Sequence, residues 1–320
     1  MNETRQLVVI CRVLLPAGLE PLRERFEVRE GGLDADRELL LELAPGAAAL
    51  VADPSVPVDG ALLDACGGSL RVVSNFAVGY DNVDLDACRE RGVIVTNTPG
   101  VLTEATAELA LALTLAAARR MSDAERDLRA GRWRGWDPAA YRGLELRGST
   151  VGVVGLGRIG RRYAELVRAL GAEVVYSGPT AKPDAERELG ARRLELAALL
   201  EAADIVSLHA PAGPETYHLI GAAQLELLGS DGVLVNTSRG PLVDPAALAA
   251  ALQQGRLGAA GLDVYENEPE VPRELLDSPR CVLLPHIGSA TVPSRDEMAK
   301  LAAKNVIAVL EDREPPSRVD

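Results

Sequence analysis

Residues 151–160 read Val-Gly-Val-Val-Gly-Leu-Gly-Arg-Ile-Gly, an apolar run that passes into glycines at positions 155, 157 and 160. This G-x-G-x-x-G spacing permits a tight turn at Gly155, close approach of a pyrophosphate at Gly157, and close packing of a helix on the strand at Gly160. The helical pattern 161–170 that follows presents free N–H groups and a partial positive charge to phosphates. The stretch predicts a strand, turn and helix that bind a dinucleotide; the alternative is an ordinary tight turn.

Outward from this turn, short apolar runs alternate with helical patterns along the chain. Such alternation predicts βαβ units with parallel sheets, and continuous apolar runs such as 151–154 suit a sheet that is covered on both faces. The predicted strands are 7–10, 47–51, 71–74, 93–95, 150–154, 173–177, 204–208, 232–236, 259–263 and 281–284.

The length of 320 residues predicts two domains, because a domain typically holds about 150 residues. The predicted boundary lies near Thr98-Pro99-Gly100, and a return of the chain just before residue 292 makes the first domain discontinuous. We therefore expect an α/β protein with two Rossmann-like domains and parallel sheets. Residues 1–98 and 292–320 would form a flavodoxin-like substrate domain, and residues 99–291 an inserted NAD(P)-binding domain.

The charge balance and the cysteines limit the partners. There are 47 acidic against 34 basic residues, a net charge of −13, whereas nucleic acids and anionic lipids demand a positive face. No apolar stretch reaches the roughly 18 residues of a membrane-spanning helix, and the N-terminal apolar run has no basic leader. The four cysteines have neither Cys-x-x-Cys nor zinc spacing, so we expect reduced thiols, no metal and a cytoplasmic protein.

The end of the strand after the glycine turn bears on the cofactor. NAD enzymes usually place a carboxylate there for the ribose 2′-hydroxyl, but residues 177–182 contain none. Ser177, Thr180 and Lys182 offer a hydroxyl, a second hydroxyl and a cation that suit a 2′-phosphate, which favours NADP(H) over NAD(H). The alternative is that Lys182 is a solvated surface charge and that either cofactor serves.

Three residues in the second half of the chain suit the reduction of a 2-oxo acid, each in a turn-like segment after an apolar run. Arg239 offers a fork for a carboxylate, His286 can supply a proton near neutral pH, and Glu268 can orient the imidazole. Structural roles are the alternatives: a core histidine, an ion pair and a solvated carboxylate. His209 is expected to pack near the cofactor, and His218 to lie on the surface.

At these residues the chain resembles the D-isomer-specific 2-hydroxyacid dehydrogenases over essentially its whole length. Within that family it is most similar to glyoxylate/hydroxypyruvate reductases, through the segments 97–108 and 131–136. Five segments in the family's order and spacing carry the resemblance, namely Ser74–Asp84, Gly155–Gly160, Asn236–Gly240, Gly261–Pro269 and Pro285–Thr291.

The resemblance implies a role for each matching residue. Arg239 would bind the substrate, and His286 would be the general acid with Glu268 as its partner. The substrate contacts it implies are Asn75, Val78, Gly79, Ser289 and, from a neighbouring subunit, Trp136. The cofactor contacts it implies, together with those argued above, are Thr103, Gly155, Leu156, Gly157, Arg158, Ile159, Gly160, Ser177, Thr180, Lys182, His209, Thr216, Thr237, Asp263 and Gly288.

The resemblance also implies a homodimer formed through the cofactor domain, with a small 2-oxo or 2-hydroxy acid as substrate. Alternatives within the family are D-lactate, phosphoglycerate and phosphite enzymes. A formate enzyme would pair its histidine with Gln rather than Glu268, and a phosphite enzyme would carry a Lys in the loop 74–81, which has none. Outside catalysis, the alternative is a nucleotide-sensing protein similar to the carboxyl-terminal-binding corepressors.

Overall fold

The computed structural model describes residues 5–319, which form two compact units. We call Met1–Leu102 with Ser289–Asp320 unit 1, and Thr103–Gly288 unit 2. The chain passes between units at 102/103 and 288/289, where the sequence predicted 98/99 and 291/292. Residues 1–4 and 320 of the predicted first domain lie outside the described residues.

Unit 1 is built on a parallel sheet with the strand order β2-β1-β3-β4-β5. This is the order of flavodoxin-like folds, in which ligands bind beyond the carboxyl ends of the strands. Its strands are β1 (Leu7–Ile10), β2 (Glu27–Glu30), β3 (Ala47–Ala52), β4 (Val72–Asn75) and β5 (Ile94–Thr96). With labels in chain order, its helices are α1 (Pro16–Arg25), α2 (Arg37–Leu43), α3 (Gly60–Ala65), α4 (Leu85–Glu90) and α13 (Val292–Leu310).

The last helix, α13, is held tightly in unit 1, although it is remote in sequence from the rest of that unit. It packs against α1, where a Cβ at Gly18 would overlap the backbone of Ala299. The buried hydroxyl of Ser74 at the end of β4 donates to the Ala302 carbonyl at 3.1 Å. Close packing and a satisfied buried hydroxyl together hold this helix in unit 1.

Unit 2 is built on a second parallel sheet, with the order β12-β11-β10-β9-β6-β7-β8. Its strands are β6 (Thr150–Val154), β7 (Glu173–Ser177), β8 (Arg192–Arg193), β9 (Ile205–Leu208), β10 (Val233–Asn236), β11 (Ala259–Leu262) and β12 (Cys281–Leu283). Its helices are α5 (Thr103–Ala118), α6 (Met121–Arg129), α7 (Arg158–Ala169), α8 (Pro183–Leu189), α9 (Leu196–Ala202), α10 (Ala222–Leu228), α11 (Pro245–Gln253) and α12 (Arg273–Asp277).

The strand order of unit 2 is that of a Rossmann sheet with one added strand. Its first six strands in chain order follow the 3-2-1-4-5-6 arrangement, and β12 extends the edge beyond β11. The direction of winding reverses between β6 and β9, which is where such sheets bind dinucleotides. The predicted fold class, α/β with two parallel sheets, is confirmed.

Within residues 5–319, no helix is both long enough and apolar enough to cross a membrane.

Candidate active site

The glycine turn follows β6 at the point where the sheet reverses its winding. Gly155 has a φ of +93°, and a Cβ there would lie 2.7 Å from the backbone carbon of His209. A Cβ at Gly160 would overlap the carbonyl oxygen of Gly155, so α7 approaches the turn at van der Waals contact. Nothing lies within 4 Å of a Cβ built on Gly157, the N-cap of α7. The first and third glycines are therefore needed for packing, and the second leaves space for a phosphate.

The flanking residues of the turn divide between core and surface. The side chain of Leu156 is buried in the apolar core of unit 2, and Ile159 packs partly against the same core. Arg158 is the first residue of α7 and is exposed. Because the first turn of a helix presents unpaired N–H groups, this end of α7 can receive an anion, with the Arg158 guanidinium as a second source of positive charge.

His209 follows β9, across the winding reversal from the glycine turn. Its backbone N–H donates to the Val154 carbonyl at 2.7 Å, and its Nε2 lies 2.9 Å from the Ser207 hydroxyl. The ring centroid is 5.1 Å from that of Tyr163 on α7. Burial lowers the pKa of His209 to about 3, so its ring is neutral at physiological pH. His209 is therefore a buried packing residue beside the glycine turn, and its contact with a cofactor stays a prediction.

Two threonines near this crevice differ in how their hydroxyls are satisfied. Thr216 donates to the Pro211 carbonyl at 2.8 Å within a turn after β9. Thr237, directly after β10, is buried, and its hydroxyl has no hydrogen-bond partner. An unpartnered buried hydroxyl is costly unless a ligand supplies the partner. Thr237 therefore fits a site for a polar ligand at the end of β10. Thr103 is the partly exposed first residue of α5.

The turn after β7 is where a cofactor's ribose would lie. Ser177 is partly exposed, and Thr180 and Lys182 are exposed. The guanidinium of Arg193 on β8 also reaches this turn, where its Nη2 donates to the carbonyls of Gly178 and Pro179 at 2.8 and 3.2 Å. The sequence analysis missed Arg193, because only the pairing of β8 with β7 brings residue 193 beside residue 178. The turn therefore carries two cations, not one.

Arg239, Glu268 and His286 are brought together by the order of three neighbouring strands. They lie in the segments that follow β10, β11 and β12, and these strands run parallel and side by side. The backbones remain bonded beyond the strands, since Asp263 N–H donates to the Asn236 carbonyl and His286 N–H to the Asp263 carbonyl, both at 2.9 Å. Parallel pairing thus places three segments that are distant in sequence at one sheet edge.

Glu268 and His286 form a hydrogen-bonded pair. His286 Nδ1 lies 2.7 Å from Glu268 Oε2, and the side chains are 35% and 34% exposed. The other oxygen of Glu268 accepts the Tyr265 N–H at 3.0 Å. Burial raises the pKa of Glu268, but the His286 bond and the charges of His286 and Arg239 outweigh it, so this pKa lies below its usual value. Glu268 is therefore ionised at neutral pH. Its bond to Nδ1 orients the imidazole ring, whose second nitrogen is Nε2.

The backbone that carries His286 is held by Asp263. His286 has a φ of +53°, in the left-handed region that residues other than glycine seldom adopt. The two carboxylate oxygens of the fully buried Asp263 accept the N–H groups of Ile287 and Gly288, both at 2.7 Å. Burial raises the pKa of Asp263. Asp263 therefore fixes the backbone of residues 286–288. One lone pair on each of its oxygens can still accept a hydrogen bond from a further donor.

Arg239 lies at a point of very close backbone packing. Its Nη1 donates to the Ser238 carbonyl at 2.8 Å, and its charge contributes to the lowered pKa of Glu268. A Cβ on the next residue, Gly240, would overlap the backbone of Tyr265 and Glu266. The segment that bears Arg239 is therefore in direct contact with the segment that bears Glu268. A guanidinium, a carboxylate and an imidazole share one neighbourhood, which suits the binding of a small anion and the transfer of a proton.

Among the remaining predicted substrate contacts, Asn75, Val78, Gly79 and Ser289 belong to unit 1 and Trp136 belongs to unit 2. In unit 1, Asn75 donates to the Gly79 carbonyl at 2.7 Å, and Asn97 donates to the Val78 carbonyl at 2.7 Å. These bonds fix the peptide groups of the loop after β4. Ser289 is the partly exposed residue at which the chain re-enters unit 1. In unit 2, Trp136 follows α6 and is 86% exposed.

His218, which we expected on the surface, is partly exposed. Its side chain is 29% exposed, and its Nε2 lies 3.2 Å from Glu266 Oε1.

Among the described residues there is no group of three or more His, Cys, Asp or Glu side chains arranged to hold a metal ion.

Comparison with known proteins places the chain among dehydrogenases. Residues 111–288 match the family model "D-isomer specific 2-hydroxyacid dehydrogenase, NAD binding domain". A glyoxylate reductase of Thermococcus litoralis is 42% identical over 98% of this chain and 96% of that protein. A crystal structure of a protein from Thermus thermophilus has a TM-score of 0.92 at 44% identity, covering 98% of this chain and all of that one.

A second solved structure holds ligands. It is an NADPH-dependent glyoxylate/hydroxypyruvate reductase from Sinorhizobium meliloti in complex with NADP and malonate. Its TM-score is 0.87 at 38% identity, and the match covers 98% of this chain and 97% of that one. The match therefore extends over both units.

The unpartnered hydroxyl of Thr237 generates a testable contrast. We expect Thr237→Val to leave the free energy of unfolding unchanged or to raise it by up to about 1 kcal/mol, because no hydrogen bond is lost. Thr114→Val is the matched control: that buried hydroxyl bonds Ala110 and Tyr163, both at 2.8 Å, and its loss should cost about 1–2 kcal/mol. Denaturant unfolding measures both. Thr237→Val should also weaken dinucleotide binding in a calorimetric titration, whereas equal destabilisation by both variants would show that Thr237 is already satisfied.

Proposed function

Because the chain belongs to the D-isomer specific 2-hydroxyacid dehydrogenase family, we propose that it reduces a small 2-oxo acid, glyoxylate or hydroxypyruvate, to the D-2-hydroxy acid. The protein is an NAD(P)-dependent oxidoreductase, and the comparisons with glyoxylate reductases support this substrate class. The observation that carries the proposal is the Glu268–His286 hydrogen bond beside Arg239. The handedness of the product is taken from the family.

In the proposed reaction, Arg239 binds the substrate carboxylate and polarises the adjacent carbonyl, because its fork makes two parallel hydrogen bonds to a carboxylate. When bound, the reduced nicotinamide dinucleotide supplies the hydride that the carbonyl carbon accepts. His286 donates its Nε2 proton to the carbonyl oxygen, which becomes the hydroxyl of the product. Glu268 keeps the imidazole oriented through its hydrogen bond to Nδ1. In the oxidative direction, the neutral imidazole takes the proton back.

The dinucleotide fits the residues at the reversal of winding in unit 2. We propose that the first turn of α7 with Arg158 binds the pyrophosphate over Gly157, where no side chain intervenes. Thr237 gains its missing partner from the bound cofactor, and Thr103, His209, Thr216 and Gly288 line the same crevice. Asp263, whose oxygens hold the Ile287 and Gly288 N–H groups, uses a remaining lone pair for the nicotinamide carboxamide.

The family motif supports further proposed contacts with the substrate. The N–H groups of Val78 and Gly79 receive the substrate carboxylate, with Asn75 fixing their loop through its bond to the Gly79 carbonyl. Ser289, three residues after His286 in the sequence, is proposed to contact the substrate as well.

The protein is proposed to be a homodimer that associates through unit 2. Support comes from the exposed apolar side chains of Met121, Leu128, Trp133 and Trp136, which are 56%, 58%, 59% and 86% exposed in and after α6. Large exposed apolar side chains on one stretch of the chain, residues 121–136, favour an association surface there. Trp136 is then proposed to contact the partner's substrate. Light scattering measures the molar mass in solution and distinguishes this dimer from a 33.8 kDa monomer. A monomer would argue against the proposed association.

A nucleotide-sensing protein without turnover is the alternative from another class. Its sites need a dinucleotide crevice but no proton donor. The ionised Glu268 bonded to His286 favours the enzyme, because a sensor has no use for an oriented acid at the carboxyl edge of the sheet.

A panel of small 2-oxo acids tests the reaction. With NADPH, glyoxylate and hydroxypyruvate should give the highest kcat/KM, and no turnover with any 2-oxo acid would favour the sensor.

Arg239→Ala should raise KM and lower kcat together, since the guanidinium contacts both the carboxylate and the reacting carbonyl. His286→Ala should lower kcat at least about 100-fold, the usual scale of acid catalysis. Unchanged kcat/KM in either variant would remove that residue from the site, and circular dichroism checks that both variants fold.

Cofactor choice is tested at the turn after β7. We propose a modest preference for NADPH, in which Lys182 and Arg193 bind the 2′-phosphate together with Ser177 and Thr180. Arg193→Ala should raise KM for NADPH about 10-fold and leave KM for NADH within about twofold, since one charge-assisted contact of about 1.5 kcal/mol is lost. Arg192→Ala is the matched control, because neighbouring strand residues point to opposite faces. A strong NADH preference in the wild type would overturn the NADPH assignment.

A further inference from the structure

A second histidine–glutamate contact lies on the same segment as Glu268. The Tyr217 hydroxyl donates to Glu266 Oε1 at 2.9 Å, and His218 Nε2 lies 3.2 Å from that same oxygen. The Tyr217 and His218 rings are stacked, with centroids 4.0 Å apart and planes 15° from parallel. The Glu266 side chain is only 19% exposed. We call Tyr217, His218 and Glu266 the Glu266 cluster.

The backbone beside the cluster is bonded to the segment that bears Arg239. His218 N–H donates to the Pro241 carbonyl at 2.8 Å, and Ile220 N–H donates to the Leu242 carbonyl at 2.9 Å. Residues 241 and 242 follow Arg239 and Gly240 directly. Residues 217–220 therefore touch both catalytic segments: the one after β10 through the backbone, and the one after β11 through Glu266.

The conformation of His218 indicates that this arrangement is imposed by its surroundings. His218 has a φ of +48°, a left-handed conformation that is unfavourable for a residue with a Cβ. Such conformations persist where neighbouring contacts fix them, and they concentrate at functional sites. Here the contacts are the Pro241 carbonyl, the Tyr217 ring and the Glu266 carboxylate.

We propose that Glu266 is a positioning residue, which through Tyr217 and His218 holds the segment 265–268 so that Glu268 meets His286. The inference rests on the proposed function. Glu268 is fixed at one oxygen by the Tyr265 N–H and at the other by His286 Nδ1, and Tyr265 is the neighbour of Glu266. A shift of the 265–266 backbone therefore moves the carboxylate that orients the acid.

The expected effect is on turnover rather than on cofactor binding, because none of the three side chains is assigned to the cofactor. Displacement of a catalytic group by about 1 Å can cost up to about 100-fold in rate. We expect Glu266→Ala to lower kcat about 10-fold and to change KM for the cofactor less than about twofold. Glu266→Gln should recover most of the loss, because its amide oxygen still accepts the Tyr217 hydroxyl.

The matched control is Glu270→Ala, a carboxylate on the same stretch that is exposed and lies outside the cluster. It should leave kcat unchanged. Tyr217→Phe is a second, milder variant that retains the ring and removes one donor, in case Glu266→Ala folds poorly. Its kcat should fall about twofold to fivefold, consistent with the loss of one hydrogen bond of about average strength.

Two readouts separate positioning from general destabilisation. In a Glu268→Ala background, Glu266→Ala should cause no further loss of kcat, because the carboxylate it positions is gone. Proton NMR gives a readout without turnover: the imidazole N–H signal that is absent in His286→Asn should weaken or shift in Glu266→Ala, and not in Glu270→Ala.

These readouts also separate this inference from the proposed function. An inactive wild type would overturn the proposed function, and the NMR comparison would still decide the role of Glu266. An active wild type whose Glu266→Ala variant keeps the kcat and imidazole signal of Glu270→Ala would overturn the positioning role. Equal losses of kcat from Glu266→Ala in the wild-type and Glu268→Ala backgrounds would overturn it as well.

Discussion

The parallel pairing of β10, β11 and β12 is the constraint on which the candidate site depends. Each strand ends at the same edge of the sheet, and the bonds from Asp263 to Asn236 and from His286 to Asp263 extend the pairing into the segments beyond. Arg239, Glu268 and His286 are therefore neighbours because their strands are neighbours. Gly240 adds a second constraint, since only a residue without a side chain allows the Arg239 segment to contact the backbone of Tyr265 and Glu266.

Buried carboxylates and an unfavourable backbone conformation are concentrated at this edge of the sheet. Hydrogen bonds satisfy nearly all of these groups. Asp263 is fully buried, and its two oxygens hold consecutive N–H groups after the left-handed His286. Glu268 is held by the Tyr265 N–H and by His286, which keeps it ionised despite partial burial. The Thr237 hydroxyl is an exception that lacks a partner, and it lies at the end of the strand that leads to Arg239. Rigid support around one unsatisfied polar atom is the pattern expected of a site prepared for a ligand.

Most of the fold followed from the sequence, and the exceptions have physical reasons. The strands at 150–154 and 173–177 were predicted to the residue, because buried parallel strands are apolar on both faces. Two edge strands were missed. Glu27–Glu30 is polar and largely exposed, and Arg192–Arg193 is only two residues long, so neither carries an apolar pattern. His286 and Glu268 could be predicted from the sequence, because their chemistry suits acid catalysis and their segments resemble the family's. Arg193 and the Glu266 cluster could not, because their contacts join residues that are 15 and at least 48 positions apart in the sequence.

The most direct test of the account is a crystal structure of the protein with NADP⁺ and an unreactive analogue of a 2-oxo acid. We expect Arg239 to make paired hydrogen bonds to the analogue's carboxylate. We also expect His286 Nε2 to lie within about 3 Å of the oxygen that replaces the carbonyl, with Glu268 still bonded to Nδ1. An analogue bound with His286 turned away from that oxygen, or with Arg239 remote from its carboxylate, would contradict the account.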